Sequence, residues 1–256
     1  MARVISVVNQ KGGVGKTTTS INLAAYLADM DQRVLLIDID PQGNATSGIG
    51  FEPSRISPSV YDVLIDDDLA LSSIVKKTAL DKLYVAPANP DLAGANIELV
   101  GAVRREYKLW HKIGPLYNQY DYIIIDNPPS LGLLTINGLV AAEEVLIPVQ
   151  TEYYALEGLS QLIHTINLVK DNLKPDLQIL GVVMTMYDGR SNLSEAVFQE
   201  LYRHFPSKIF RSIIPRNIRL AEAPSHGKPI LMYDRQAKGA KAYEKLAREI
   251  KDSARY

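Results

Sequence analysis

The chain has 256 residues, 46% hydrophobic and 22% charged, with a formal net charge of −1 and no cysteine. That composition is ordinary for a globular protein of one large domain or two small ones. It excludes disulfides, thiolate metal sites and cysteine-ligated iron–sulfur clusters. No apolar run reaches membrane-span length. The chain opens on an apolar run without a signal-peptide pattern, so the cytoplasm is the expected compartment. The four histidines are scattered without metal-type spacing.

The run Val4-Ile5-Ser6-Val7-Val8 predicts a first strand. Lys11-Gly12-Gly13-Val14-Gly15-Lys16-Thr17-Thr18 follows, and then a helical stretch over 17–30. Strand, glycine turn, Gly-Lys-Thr and helix form the context of a phosphate-binding loop. Glycines let backbone N–H groups converge on an anion, and the helix N-terminus adds unpaired N–H groups and partial positive charge. Lys16 is placed to reach the terminal phosphates, and the Thr17 hydroxyl to ligate Mg²⁺. One feature departs from the standard loop: Gln10 stands where a glycine is usual, and Lys11 lies inside the loop. From the loop's start Lys11 cannot easily fold back on its own phosphates, but it can reach phosphates held by a second subunit.

The next strand, Val34-Leu35-Leu36-Ile37, runs into Asp38-Ile39-Asp40-Pro41-Gln42-Gly43-Asn44-Ala45-Thr46. Carboxylates at a strand's C-terminal end sit where ligands bind in open α/β sheets. Asp38 and Asp40 are two apart and share a face if the segment is extended; an Asx turn closing the strand is the alternative. Residues 50–80 read as a peripheral insertion of short helices. A strand at Leu83-Tyr84-Val85 and a helix over about 93–118 come next. Tyr122-Ile123-Ile124-Ile125 leads to Asp126, an acid after four apolar strand residues, which is the Walker B arrangement for binding Mg²⁺.

Further strands are predicted at 145–149, 179–184 and Ile209-Phe210, and helices at 155–173, 191–204 and 238–252. Unbroken apolar strands alternating with helices predict an α/β fold: a doubly wound, mostly parallel sheet with helices on both faces. No repeat or long linker divides the chain, so a single domain over 1–256 is expected.

Charge is polarised along the chain. Residues 203–256 carry 13 Lys and Arg against 5 Asp and Glu, a balance of +8 that the preceding residues offset with −9. Such a chain can present a basic face despite its near-neutral total, although lysine-rich solvated helices would look the same. Lys238, Lys241, Lys245 and Arg248 recur at spacings of three to four and share one helix face.

Together these segments resemble the ParA/MinD family of deviant Walker A ATPases, nearest to its chromosomal ParA branch, over residue 2 to about 250. The resemblance rests on the loop at 11–18, Asp38–Thr46, Asp126 with Asn127-Pro128-Pro129-Ser130, Tyr153-Tyr154-Ala155-Leu156-Glu157-Gly158, Met184–Arg190 and Ile214–Ser225. It implies an ATPase using ATP and Mg²⁺, with Gly12, Gly13, Val14, Gly15, Lys16, Thr17 and Thr18 around the phosphates. Lys11 would contact ATP across a homodimer, and Gly12 would permit close approach there.

By the same resemblance Asp40 would position the attacking water, and Asp38 would support the metal held by Thr17 and Asp126. Met186, Pro215 and Asn217 become candidates for the adenine pocket, with packing and turn formation as their alternatives. Arg190 and Arg219 become candidates for non-specific contact with double-stranded DNA, beside Lys238, Lys241 and Lys245. A ParB-type (Spo0J-like) DNA-binding partner would trigger hydrolysis at the nucleoid, moving a chromosome origin or plasmid. No N-terminal helix-turn-helix extension precedes the first strand, so operator-specific repression is not expected. Family members more often carry a small residue where Asn127 stands. Neighbouring strand residues face opposite ways, so Asn127 is expected to spare Asp126 and to affect switch motion.

Two other readings compete. A MinD-like membrane-positioning ATPase needs a C-terminal amphipathic helix free to enter lipid, whereas Tyr243, Leu246 and Ile250 suit packing on the domain, so no stable membrane association is expected. A metabolic P-loop enzyme needs either bridging cysteines or an acceptor pocket, and the sequence shows neither.

Overall fold

A computed structural model describes residues 1–151, 155–190 and 192–253. Seven strands form one sheet in the order β3-β4-β2-β5-β1-β6-β7. They are β1 (Arg3–Val7), β2 (Val34–Asp38), β3 (Lys76–Lys77), β4 (Leu83–Ala86), β5 (Tyr122–Asp126), β6 (Glu144–Gln150) and β7 (Gln178–Thr185). All pair in parallel except the short edge strand β3, which runs antiparallel to β4. The β-branched runs in β1, β2 and β5 are buried throughout, as a sheet covered on both faces requires.

Alternation along each strand divides the core in two. Val4, Leu35, Ile37, Ile123 and Ile125 face one cluster. There they meet α3 (Val60–Ile65), α4 (Leu92–Glu98), α5 (Lys108–Ile113), α6 (Leu133–Val140) and α7 (Ala155–Asn172), with α8 (Asn192–His204) beyond. Ile5, Val7, Val34, Leu36 and Ile124 face the other, against α1 (Lys16–Asp29) and α11 (Lys238–Asp252). Between these lie α2 (Asn44–Gly48), α9 (Ile218–Glu222) and α10 (Ile230–Tyr233). On α11 the apolar stripe Tyr243, Leu246, Ala247 and Ile250 is buried in this second cluster.

Four expectations change. The segment 50–80, expected as short helices, also carries the edge strand β3. The helix expected over about 93–118 is broken into α4, single 3₁₀ turns and α5. Arg104 adopts a left-handed φ of 52°, and Pro115, at the start of a closing 3₁₀ turn, has no N–H to donate. The strand expected at Ile209-Phe210 makes one parallel bridge, Val182↔Ile209, so it shadows the edge of β7 without becoming an eighth strand. Asp38 and Asp40 do not share an extended face. Strand β2 ends at Asp38, and the chain turns so that the Asp40 N–H donates to Asp38 Oδ1 at 3.1 Å, the Asx turn. Tyr153 and Tyr154 of the family-like segment after β6, and Ser191 at the start of the expected 191–204 helix, lie outside the described residues.

Candidate nucleotide site and basic groove

Because β1, β2, β5 and β7 run in parallel, their C-terminal ends deliver the loop at 11–15, Asp38–Asp40, Asp126 and Met186 to one edge. This is the edge where open α/β sheets bind ligands. The loop turns through left-handed glycines, Gly13 (φ 76°) and Gly15 (φ 88°), the latter directly capping α1. A side chain at either position would be strained. Thr185 Oγ1 donates to the Val14 carbonyl at 2.8 Å and ties the loop to β7. Asn9 supports the loop's start: its Nδ2 donates to the Pro148 carbonyl and its Oδ1 accepts from the Lys11 N–H.

Lys16 is buried and its Nζ donates to the Lys11 carbonyl at 3.0 Å. Burial lowers its pKa, opposed by the charges of Asp126 and Asp40. Behind it Asp126 is fully buried. Its Oδ1 accepts from Ser20 Oγ at 2.7 Å, and its Oδ2 has no hydrogen-bond partner. Burial pushes the Asp126 carboxyl well above the usual aspartate range, the Asp38 charge adds to this, and the Ser20 and Thr17 hydroxyls offset part of it. Asp38 is also buried and stands opposite Asp126 in the β2–β5 register. Its Oδ2 accepts from the Thr46 N–H (2.8 Å) and hydroxyl (2.7 Å), so both its oxygens are engaged in holding the turn. Burial raises Asp38 too, against those hydrogen bonds.

An unpaired buried carboxylate oxygen beside a threonine hydroxyl is a hard-oxygen donor set, which fits Mg²⁺ completing its shell with phosphate and water. The described residues contain no group of three acidic, histidine or cysteine side chains that could hold a metal ion. Asp40, Gln42, Asn44 and Pro129 form the far wall of a cavity of about 340 Å³ over the glycine loop, Lys16, Thr17 and Thr18.

A second cavity of about 390 Å³ adjoins it, lined by Gly15, Thr18, Met186, Pro215, Asn217 and Tyr243 among others. It is largely apolar, as a base-binding pocket should be. Asn217 Oδ1 is buried without a partner and can accept from an amino group. Met186 lines both cavities with a left-handed φ of 52°, a strained conformation for a non-glycine residue. Sequence reasoning missed Tyr243, whose hydroxyl bonds Thr19 on α1 at 3.1 Å; its helical spacing marked it only as core. It also assigned no role to Ser20, one turn after Thr17, or to Thr46, although Thr46 closes the Asp38–Thr46 motif.

The candidate DNA residues fall into two groups. Lys238, Lys241 and Lys245 line one open groove of about 610 Å³, together with Tyr187, Ser212, Pro215 and Arg211. Arg211 is a cation that sequence spacing could not connect to a helix face. None of these four cations has an ion-pair partner among the described residues. By contrast Arg190 pairs with Asp188 at 2.9 Å, and Arg219 with Glu222 at 2.9 Å and Asp234 at 3.6 Å. Arg248, expected on the lysine face, turns to Glu244 at 2.8 Å and stays out of the groove.

The loop, the paired aspartates and the parallel sheet define a P-loop nucleoside-triphosphatase fold. The chain matches the AAA-domain family over residues 2–179. It is 55% identical over 250 residues to the sporulation initiation inhibitor protein Soj of Bacillus subtilis, covering 98% of each chain. It is 53% identical to the chromosome partitioning protein ParA of Myxococcus xanthus, covering 98% of this chain and 88% of that one. Its structure is similar to that of cobyrinic acid a,c-diamide synthase from Mycobacterium smegmatis with bound ADP and magnesium, with a TM-score of 0.85 at 38% identity, covering 97% and 93% of the two chains. The chain belongs to the ParA/MinD superfamily of deviant Walker A ATPases, with its similarity concentrated on the chromosomal ParA proteins.

Proposed function

We propose that this chain is a DNA-partition ATPase that couples ATP binding to dimerisation and to a non-specific grip on DNA, working as one domain at the nucleoid in the cytoplasm. The observation that carries the nucleotide reading is the unpartnered, buried Asp126 Oδ2 with the Thr17 hydroxyl beside its carboxyl, together with a glycine-loop cavity that adjoins an apolar, base-sized one. The partition reading draws on the Soj and ParA relatives.

In this reading Gly12 to Thr18 hold the phosphates, while Met186, Pro215 and Asn217 hold the adenine. Thr17 and Asp126 hold Mg²⁺, and Asp38 secures the turn that presents Asp40. When bound, the metal neutralises charge that develops on the phosphates. Asp40 orients a water for attack in line with the leaving ADP, and Lys16 stabilises the terminal phosphate. Lys11 reaches the ATP of a second copy. A Cβ built on Gly12 meets nothing within 4 Å, so the loop leaves room for that approach. Closure then joins two basic grooves into one surface, and dimerisation multiplies weak phosphate contacts through effective concentration. A ParB-type protein triggers hydrolysis and releases the dimer.

The membrane alternative has little left to use. The apolar stripe of α11 is already buried against α1, and among the described residues no helix is long and apolar enough to cross a membrane. The likeness to a diamide synthase favours a ligase as a second reading, which phosphate release without any acceptor would rule out.

The test is a salt titration of DNA binding with ATP, with ADP and without nucleotide, run on the natural sequence and on Asp40→Ala. The expected result is tight binding only with ATP, and for Asp40→Ala a stable DNA-bound dimer whose turnover falls by about 100-fold or more. Equal affinity in all three states would overturn the proposal, as would rapid turnover in the variant.

A further inference from the structure

We propose that Asn127 is a positioning residue that ties the two arms of the nucleotide site together where their strands part. This rests on the metal and phosphate roles proposed above. Strands β1 and β5 pair up to Val7↔Asp126. Beyond that pair they fork: one arm continues into the phosphate loop, the other into the Pro128–Ser130 segment. Asn127 sits at the fork, fully buried, and its side chain crosses it. Nδ2 donates to Ser6 Oγ at 2.8 Å and to the Val7 carbonyl at 3.0 Å, with a further contact to the Ile125 carbonyl at 3.1 Å. Two carbonyls around one nitrogen fix the amide's orientation, because the reversed amide would set oxygen against oxygen.

The arrangement leaves one acceptor unsatisfied in a tightly packed site. Asn127 Oδ1 is left buried without a hydrogen bond, a costly state for an acceptor. A Cβ on Gly138 of α6 would lie 2.1 Å from that oxygen, so the helix approaches here only because residue 138 is glycine. An alanine at 127 would fit and leave no orphan oxygen, but it could not span the fork. What the carboxamide adds is a cross-link that sets the gap between Thr17, at the head of α1, and Asp126, at the end of β5. Residues hydrogen-bonded directly to metal ligands typically change metal affinity 10–100-fold when removed. Asn127 acts one step further back, through the backbone of Val7 and its own link to Asp126, so the low end of that range is the expected effect.

The test measures release of a fluorescent ADP analogue against Mg²⁺ concentration for the full natural chain, Asn127→Ala and Ser6→Ala, with thermal melts alongside. Asn127→Ala is expected to need about tenfold more Mg²⁺ for half-maximal slowing of release, while release in EDTA is unchanged. Ser6→Ala, which removes one acceptor from the opposite arm, is expected to move the midpoint the same way by less. A natural-sequence Mg²⁺ midpoint in Asn127→Ala overturns the proposal, and so does an affinity loss equal with and without metal. Should Asn127→Ala fail to fold, Ser6→Ala decides alone, an unmoved midpoint counting against the tie. If the natural chain itself shows no Mg²⁺ dependence, the nucleotide reading fails, and the tie with it.

Discussion

The phosphate edge and the basic groove are built in opposite ways. At the phosphate edge Lys16, Asp38 and Asp126 are buried and, with Thr46 and Ser20, locked by hydrogen bonds of 2.7–3.1 Å. In the groove Arg211, Lys238, Lys241 and Lys245 are exposed and have no ion-pair partners among the described residues. Burial makes each contact at the first site strong and specific, because the dielectric is low and the geometry is set in advance. Exposure makes each contact at the second weak, additive and sensitive to salt. A chemical switch needs the first kind of site; on the proposed reading, a surface that must release long DNA needs the second.

The largest expected effect breaks the buried side. Lys16→Gln should weaken ATP binding by roughly 100-fold, about 3 kcal/mol, as expected for removing a charged donor to phosphate. Isothermal titration checks this; an unchanged dissociation constant would mean the loop does not cradle phosphate. Next, replacing Lys238, Lys241 and Lys245 together by alanine should leave ATP affinity intact. It should flatten the slope of log DNA affinity against log salt by about 0.9 for each DNA phosphate that is no longer neutralised. A natural-sequence slope would remove the groove from the DNA surface and leave that role to the ion-paired Arg190 and Arg219.

A separate effect concerns stability and is read without any ligand. Burial raises the Asp126 carboxyl above its unfolded value, to about 8, so the metal-free folded chain binds more protons than the unfolded chain between about pH 4 and that raised value. Unfolding free energy therefore falls as pH rises through that window, by at most about 1.4 kcal/mol per pH unit for one group. Asp126→Asn should lose that part of the slope. Denaturant melts in EDTA at several pH values compare the two; parallel curves would mean that this carboxyl is already ionised at low pH.

The same contrast governs what the sequence disclosed. The phosphate edge was legible because its chemistry is contiguous: the loop, Asp38–Thr46 and Asp126 each follow an apolar strand, and parallel strands must bring those ends together. The helix at 238–252 was legible from its strong periodicity, and six of the seven strands from their unbroken apolar runs; the two-residue edge strand β3, made of two lysines, carries no such run. Arg211 was not, since it reaches the groove from an extended segment packed beside β7. The Arg219–Asp234 pair was also hidden, because Asp234 approaches from a different turn of the chain, whereas Asp188 and Glu222 stand within three residues of Arg190 and Arg219 and their pairing is within reach of spacing alone. The broken 93–118 stretch misled because its apolar residues continue helical spacing through Gly101, the left-handed Arg104 and Pro115. Tyr243 was invisible as a site residue because a buried tyrosine on an amphipathic helix looks like core until its hydroxyl is seen bonded to Thr19.

Pro215 borders both the base-sized cavity and the lysine groove, and α11 shows Tyr243 to one and its lysines to the other. The partition is thus one helix thick, about 10 Å. A small molecule seated in the apolar chamber with an anionic tail led out past Pro215 would meet the lysines without leaving the protein. On the proposed reading, one compound would then compete with nucleotide and polyanion at once, a chemical handle on the joint between the two.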